Sequence, residues 1–105
     1  MLIKYDKITS TQDIARELSF KIHEDFIVIA NEQTAGRGRS ARNWYSPRGG
    51  FWGTLCIKKV NLKPEELSER ETKAICKILK KKRGKDFEIK KPNDVIYEGK
   101  KICGI

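Results

Sequence analysis

Residues 33–50 read Q-T-A-G-R-G-R-S-A-R-N-W-Y-S-P-R-G-G, with four glycines and four arginines (Arg37, Arg39, Arg42 and Arg48) in eighteen positions. A guanidinium presents a planar fork of donors that fits both oxygens of a carboxylate or phosphate. Glycine reaches backbone conformations closed to other residues and lets the main chain come close to a ligand. A loop made of both suits an anionic small molecule; the same residues also fit a mobile basic loop that touches nucleic acid, or nothing. A second group is Lys90-Lys91-Pro92-Asn93-Asp94. Here a lysine at a strand end, beside a proline-stiffened turn, can aim an ammonium at a ligand, and Pro92 biases Lys91 toward an extended conformation. A third is Thr9-Ser10-Thr11-Gln12, the Ser/Thr-x-x-Gln pattern of a helix start. Its hydroxyls and free N–H groups offer a dock for a polar or anionic ligand.

The elements around these groups can be read from periodicity. Residues 2–8 fit a half-exposed strand, and Ile14, Ala15 and Leu18 place a short helix over Thr11–Ser19. Phe26–Ala30 is a continuous apolar run, the pattern of a strand buried on both faces. It leads into the Gly/Arg loop, and Phe51–Lys58 reads as the strand that follows, so the loop is anchored at both ends. Residues 64–83 form a surface helix with Pro64 in its first turn and Gly84 as its stop. Its expected apolar stripe is Leu67, Ala74, Ile75, Ile78 and Leu79. Asp86–Lys90 is a short strand, residues 91–94 a turn, and Val95–Ile105 a hairpin about Glu98-Gly99.

At 105 residues, 35% of them charged and 38% hydrophobic, the chain has the size and composition of one globular domain. No apolar run is long enough to span a membrane and no charged-then-apolar leader opens the sequence, so a cytoplasmic location is the default expectation. Three cysteines, odd in number and without a C-x-x-C, argue against a disulfide framework or a zinc site. The single His23 has no neighbouring ligand candidates and reads as an ordinary polar residue. The net charge of +9 is uneven: residues 1–57 hold eight basic and six acidic residues, and residues 58–105 hold fifteen and eight. Lys77–Lys85 has six basic residues in nine. Such a run can attract nucleic acid or an acidic partner, and it is equally the dipole-complementing end of a helix.

Taken together, the motifs resemble the catalytic domain of biotin protein ligases, which attach biotin to a lysine of biotin carboxyl carrier domains. The matching pieces follow in family order: Thr9–Gln12, Gln33–Arg39 through Arg42-Asn43-Trp44, Ser46–Gly50, Lys90–Asp94 and Gly99–Ile105. The resemblance implies an α+β fold, a mixed and antiparallel sheet packed by helices on one side, as in the N-terminal half of the biotin/lipoate ligase catalytic fold. It implies a single partial domain over residues 1–105, with no separate DNA-binding or C-terminal β-barrel domain. It also implies ATP-dependent, magnesium-assisted activation of biotin to biotinoyl-AMP, then transfer to a carrier lysine. Two anions, the biotin carboxylate and the α-phosphate, must meet despite their repulsion, and cations that bridge both bring them together. Each charge-assisted hydrogen bond contributes about 1.5–3 kcal/mol.

By the same resemblance, Arg37, Gly38 and Arg39 would close over biotin and the phosphate, and Lys90 would contact carboxylate and α-phosphate as the main catalytic group. Ser10, Thr11, Gln12 and Gln33 would line the biotin site. Arg42 and Trp44 would support the closed loop, with Asn93 near the nucleotide. The loop would order on ligand binding and shield the adenylate from water. Two positions depart from the family pattern: Lys91 stands where a tryptophan is usual, and Gln12 where an asparagine is. Family domains also continue well beyond the Cys-Gly-Ile strand, so a homodimer or a complementing C-terminal chain is an expected partner. The alternatives are a non-catalytic relative that binds biotin or an adenylate, and a small basic nucleic-acid-binding protein. The last rests on charge alone, without aromatic-interleaved basic strands.

Overall fold

The computed structural model describes residues 1–84 and 86–105. Lys85, the last cation of the 77–85 run, lies outside the described residues. The architecture is α+β, in two compact units, Met1–Val60 and Asn61–Ile105.

The first unit is a three-stranded mixed sheet in the order β1-β2-β3, made of β1 (Leu2–Ile8), β2 (Phe26–Gln33) and β3 (Trp52–Cys56). β1 and β2 run parallel, from Leu2 opposite Ile27 to Ile8 opposite Gln33, and β3 is antiparallel to β2. Parallel neighbours need a crossover connection, and helix α1 (Thr11–Leu18) supplies it. The core lies where α1 meets one sheet face: Ala15, Phe26 and Val28 are buried, with Ile3, Tyr5, Ile8, Ile14, Leu18 and Ile22 packed around them. This corrects the expectation for β2. Phe26, Val28 and Ala30 are buried, but Ile27 and Ile29 are only half-buried, because a helix covers one face of this sheet and not the other. Strand β2 also runs past Ala30 to Gln33, which places the glutamine at the mouth of the loop.

Helix α1 begins at Thr11 as expected, but its cap lies one residue later than the Ser/Thr-x-x-Gln pattern suggests. Ser10 is the N-cap, in extended conformation, and its Oγ accepts from the Gln12 N–H at 3.2 Å. Gln12 therefore contributes its backbone, not its side chain, to the cap. At the other end, the Lys58 ammonium donates to the Ser19 carbonyl, a cation on the negative end of the helix dipole.

The second unit packs helix α2 (Pro64–Arg83) on an antiparallel sheet in the order β4-β5-β6, made of β4 (Glu88–Lys90), β5 (Asp94–Tyr97) and β6 (Lys100–Gly104). Pro64 fills the first turn, Glu66 reaches back to accept from the Lys63 N–H (3.1 Å), and Gly84 closes the helix in the left-handed region at φ 59°. Cys76, Phe87 and Val95 form the buried core, with Ile75, Leu79, Tyr97 and Cys103 against it. The stripe expected from hydrophobicity is thus rotated. Thr72 and Cys76 are the fully buried positions, while Ala74 and Ile78 are exposed. Thr72 fits because its hydroxyl donates to the Ser68 carbonyl at 2.7 Å, leaving no unpaired polar atom inside. The hairpin turns at Glu98 and Gly99, both at positive φ, as a two-residue turn with right-handed strand twist demands. A register shift beside Val95 and Ile96 bulges one residue out of β6.

Candidate functional site at the start of the first helix

The first unit gathers most of the residues singled out by sequence. The loop after β2 folds back as a narrow ribbon, with Gln33 opposite Ser46 and Arg37 opposite Asn43. Two further hydrogen bonds, from Thr34 to the Ile8 carbonyl (2.9 Å) and from Ala35 to the Thr9 carbonyl (2.8 Å), lay the ribbon along the entry to α1. At its root is a buried polar hub. The Thr11 N–H donates to Gln33 Oε1 at 2.7 Å, Gln33 Nε2 donates to Ser46 Oγ at 3.0 Å, and Ser46 Oγ donates to the Trp44 carbonyl at 2.9 Å. The Thr11 hydroxyl pairs with that of Thr54 on β3 at 2.8 Å. Ser10, Thr11 and Ser46 are all buried. A hub of this kind, with every member paired, fixes side chains in one arrangement.

Gly36 sits inside this hub. A β-carbon there would lie 2.5 Å from Ser46 Oγ, 2.7 Å from the Trp44 carbonyl oxygen and 2.9 Å from Gln33 Nε2, so no other residue fits without opening it. A hollow of about 400 Å³ lies alongside, lined by Glu32, Gln33, Tyr45, Ser46, Pro47 and Arg48.

The four arginines divide into two kinds. Arg37 makes a two-point pair with Asp13 in the first turn of α1, Nη1 to Oδ2 and Nη2 to Oδ1, both at 2.8 Å. Arg48 donates to Asp6 on β1 at 2.7 Å and lies 3.6 Å from Glu32 on β2. Asn31 also donates to Asp6, at 3.1 Å. The hydrogen bond from Arg48 holds the Asp6 carboxyl at about 2, and the bond from Arg37 lowers that of Asp13. Both arginines are raised in return. Arg39 and Arg42 are exposed and, among the described residues, have no side-chain ion pair or hydrogen bond.

Between the paired arginines the chain makes a tight turn at Arg39–Ala41. The Gly38 N–H donates to the Arg42 carbonyl at 2.6 Å, and Ser40 and Ala41 both take positive φ, 56° and 58°. For residues with a β-carbon that conformation costs of order 1–2 kcal/mol each. The indole of Trp44 lies under Gly38, where an added β-carbon would meet it at 3.3 Å. The arrangement offers a rigid polar wall at a helix start, topped by two free cations.

Lys90 and Asn93 belong to the second unit. Lys90 is the last residue of β4, exposed and opposite Asp94 in the ladder. Neighbouring Lys91 lies 3.8 Å from Glu69 of α2. Asn93 is buried and structural in its contacts: its amide donates to the Ile105 carbonyl, and its own carbonyl accepts from the Ile105 N–H at 3.0 Å. The Lys101 ammonium lies 3.0 Å from Asp94 Oδ1. Sequence reasoning passed over Asp13, Asp6, Gly36, Ser46 and Thr54 as individual site residues. For Asp13 the one available signal, an acid in a helix's first turn, points to the dipole rather than to an arginine. Among the described residues no three His, Cys, Asp or Glu side chains are placed to hold a metal ion. No helix among the described residues is long and apolar enough to cross a membrane.

Residues 3–105 match the family model described as "Biotin/lipoate A/B protein ligase family". The chain is similar to the bifunctional ligase/repressor BirA of Bacillus subtilis (strain 168), with 38% identity over 108 residues covering 99% of this chain and 33% of the relative. It is also similar to the biotin--[acetyl-CoA-carboxylase] ligase of Paracoccus denitrificans, 40% identical over 82 residues, covering 74% of this chain and 34% of the relative. Among solved structures, it is similar to the biotin protein ligase of Leishmania major in complex with biotinyl-5-AMP, with TM-score 0.85 and 31% identity, covering 98% of this chain and 49% of that one. The biotin protein ligase of Aquifex aeolicus in complex with biotin and ATP gives TM-score 0.88 and 28% identity, covering 98% and 44%. The chain spans about a third of the length of the curated relatives it matches.

Proposed function

Because the chain belongs to the biotin/lipoate A/B protein ligase family, we propose that it binds biotin and ATP and carries the activating residues of a biotin protein ligase. In that reaction a biotin carboxylate oxygen attacks the α-phosphorus of ATP, the bond to pyrophosphate breaks, and biotinoyl-AMP forms. A carrier-domain lysine amine then attacks the acyl carbon and AMP leaves. The observation that carries the reading is the paired Thr11–Gln33–Ser46 hub at the root of a loop with two uncommitted arginines. It supplies fixed polar contacts for an uncharged ring system and uncommitted cations for its carboxylate and the phosphate.

In this proposal Ser10, Thr11, Gln12 and Gln33 form the biotin wall through backbone groups and hub atoms. Gly38 lets the ligand approach the main chain, and Trp44 braces the turn below it. Arg39 and Arg42 meet the phosphate and Arg37 the biotin end of the loop, while Asn93 holds the strand that follows Lys90. Lys90 bridges carboxylate and α-phosphate as negative charge builds at the reacting centre. The acceptor in this proposal is a biotin carboxyl carrier domain.

Biotin-dependent ATP–pyrophosphate exchange, run beside calorimetric titration of biotin, tests the reading. Exchange that falls at least about 100-fold in Lys90→Ala, with the fold intact, is the expected result. Biotin binding without exchange supports the non-catalytic relative instead. Absence of biotin affinity, together with nucleic-acid binding that weakens steeply with salt, would sink both.

A further inference from the structure

We propose that Asp13 is a positioning residue for the ligand loop: it clamps the Arg37 fork to the first turn of α1 and thereby sets where Arg39 and Arg42 stand. The inference deepens the biotin-binding reading and rests on it. The pair is two-point: each η nitrogen of Arg37 donates to its own Asp13 oxygen at 2.8 Å. A surface ion pair in one-point contact contributes little, whereas a bidentate arginine–carboxylate pair fixes orientation as well as distance. The carboxylate is itself held, since Asp13 lies in the first turn of a helix whose start is tied down by the Ser10 cap and the Thr11–Gln33 bond.

The clamp also has a counterpart. Arg48, at the far end of the loop, is tied to Asp6 and Glu32 on the strands. Arg39 and Arg42 lie between these two tethers, in the tight turn with left-handed Ser40 and Ala41. Short tethers on both sides restrict the paths open to the turn. The free cations then meet an anion with less ordering cost than a loose loop would incur. An acidic residue beside an anion site opposes binding by charge, so its presence is explained if its gain in positioning exceeds that repulsion. Bidentate pairing uses two of the five arginine N–H donors and leaves three for a ligand.

The test uses Asp13→Asn, Asp13→Glu and Arg37→Gln, singly and as the Asp13→Asn/Arg37→Gln pair. Biotin affinity is read by calorimetry, and cleavage after Arg39 and Arg42 by limited trypsin digestion. Asp13→Asn should weaken biotin about 2- to 10-fold, the ordering cost of one or two side chains, and speed tryptic cleavage in the loop. Asp13→Glu should recover most of both, and in the Arg37→Gln background Asp13→Asn should change neither. Unchanged or tighter biotin binding in Asp13→Asn overturns the proposal. So does an equal effect in the Arg37→Gln background, which would assign Asp13 to the helix dipole alone. If the unsubstituted chain binds no biotin, the functional reading fails by itself. The digestion still judges the clamp, because cleavage unaffected by Asp13→Asn rejects it.

Discussion

At the scale of single residues, the loop's arginine pairs are written in the titration of their acids. Asp6 is the sharper case: the hydrogen bond from Arg48, then that from Asn31, draws its carboxyl from 3.8 to about 2. Its folded value lies below its unfolded one, so the pairing contributes fully above about pH 4 and is lost as pH falls through about 2. Following the Asp6 carboxyl carbon by NMR should give a midpoint near 2, moving back toward 3.8 in Arg48→Gln. A midpoint near 3.8 in the unsubstituted protein would show that Arg48 does not hold it. Asp6 is exposed, and the effect is on where Arg48 stands more than on global stability. These partnerships were out of reach of sequence reading. Asp13 is 24 positions from Arg37, and Asp6 is 42 from Arg48. Only the parallel β1–β2 register and the path of the ribbon bring them together. Arginine type and glycine spacing singled out the loop, but not which of its cations are already paired.

At the scale of elements, legibility followed local chemistry. Pro64, the acidic first turn and Gly84 mark α2 at both ends, and residues 2–8 and the Glu98-Gly99 hairpin are equally plain, because caps and turns are decided by neighbouring residues. Which face of an element is buried is decided by what packs on it. Hydropathy therefore favoured Ile78 over Thr72, and it buried both faces of β2. The correction is measurable. Ile78→Ser should change unfolding free energy by no more than about 0.5 kcal/mol, as for a surface site, whereas Phe87→Ala should cost about 3–5 kcal/mol. Urea unfolding of the two variants checks this, and a large loss in Ile78→Ser would restore the original stripe. Strand β4 is shorter than Asp86–Lys90 because Phe87 turns into the core ahead of the ladder, and β3 likewise keeps only Trp52–Cys56 of the apolar run.

At the scale of the molecule, the two units divide the chemistry as well as the contacts. The first holds the hub and all four arginines of the loop; the second holds Lys90 and the larger share of the +9 charge. Motif order made the family legible, since five weak motifs in sequence are jointly specific. The division into units left only one trace in the sequence, the uneven charge of residues 1–57 and 58–105, because α+β periodicity continues across residue 60. Both tryptophans of the chain, Trp44 and Trp52, belong to the first unit. Trp44 underlies Gly38, and Trp52 Nε1 donates to the Pro47 carbonyl at 2.8 Å, so the two indoles bracket the ribbon. Intrinsic emission excited at the indole band is therefore a built-in, label-free optical gauge of this loop, with both emitters in the first unit. Biotin should shift or quench it saturably, and Trp52→Phe should leave the larger part of the change, carried by Trp44.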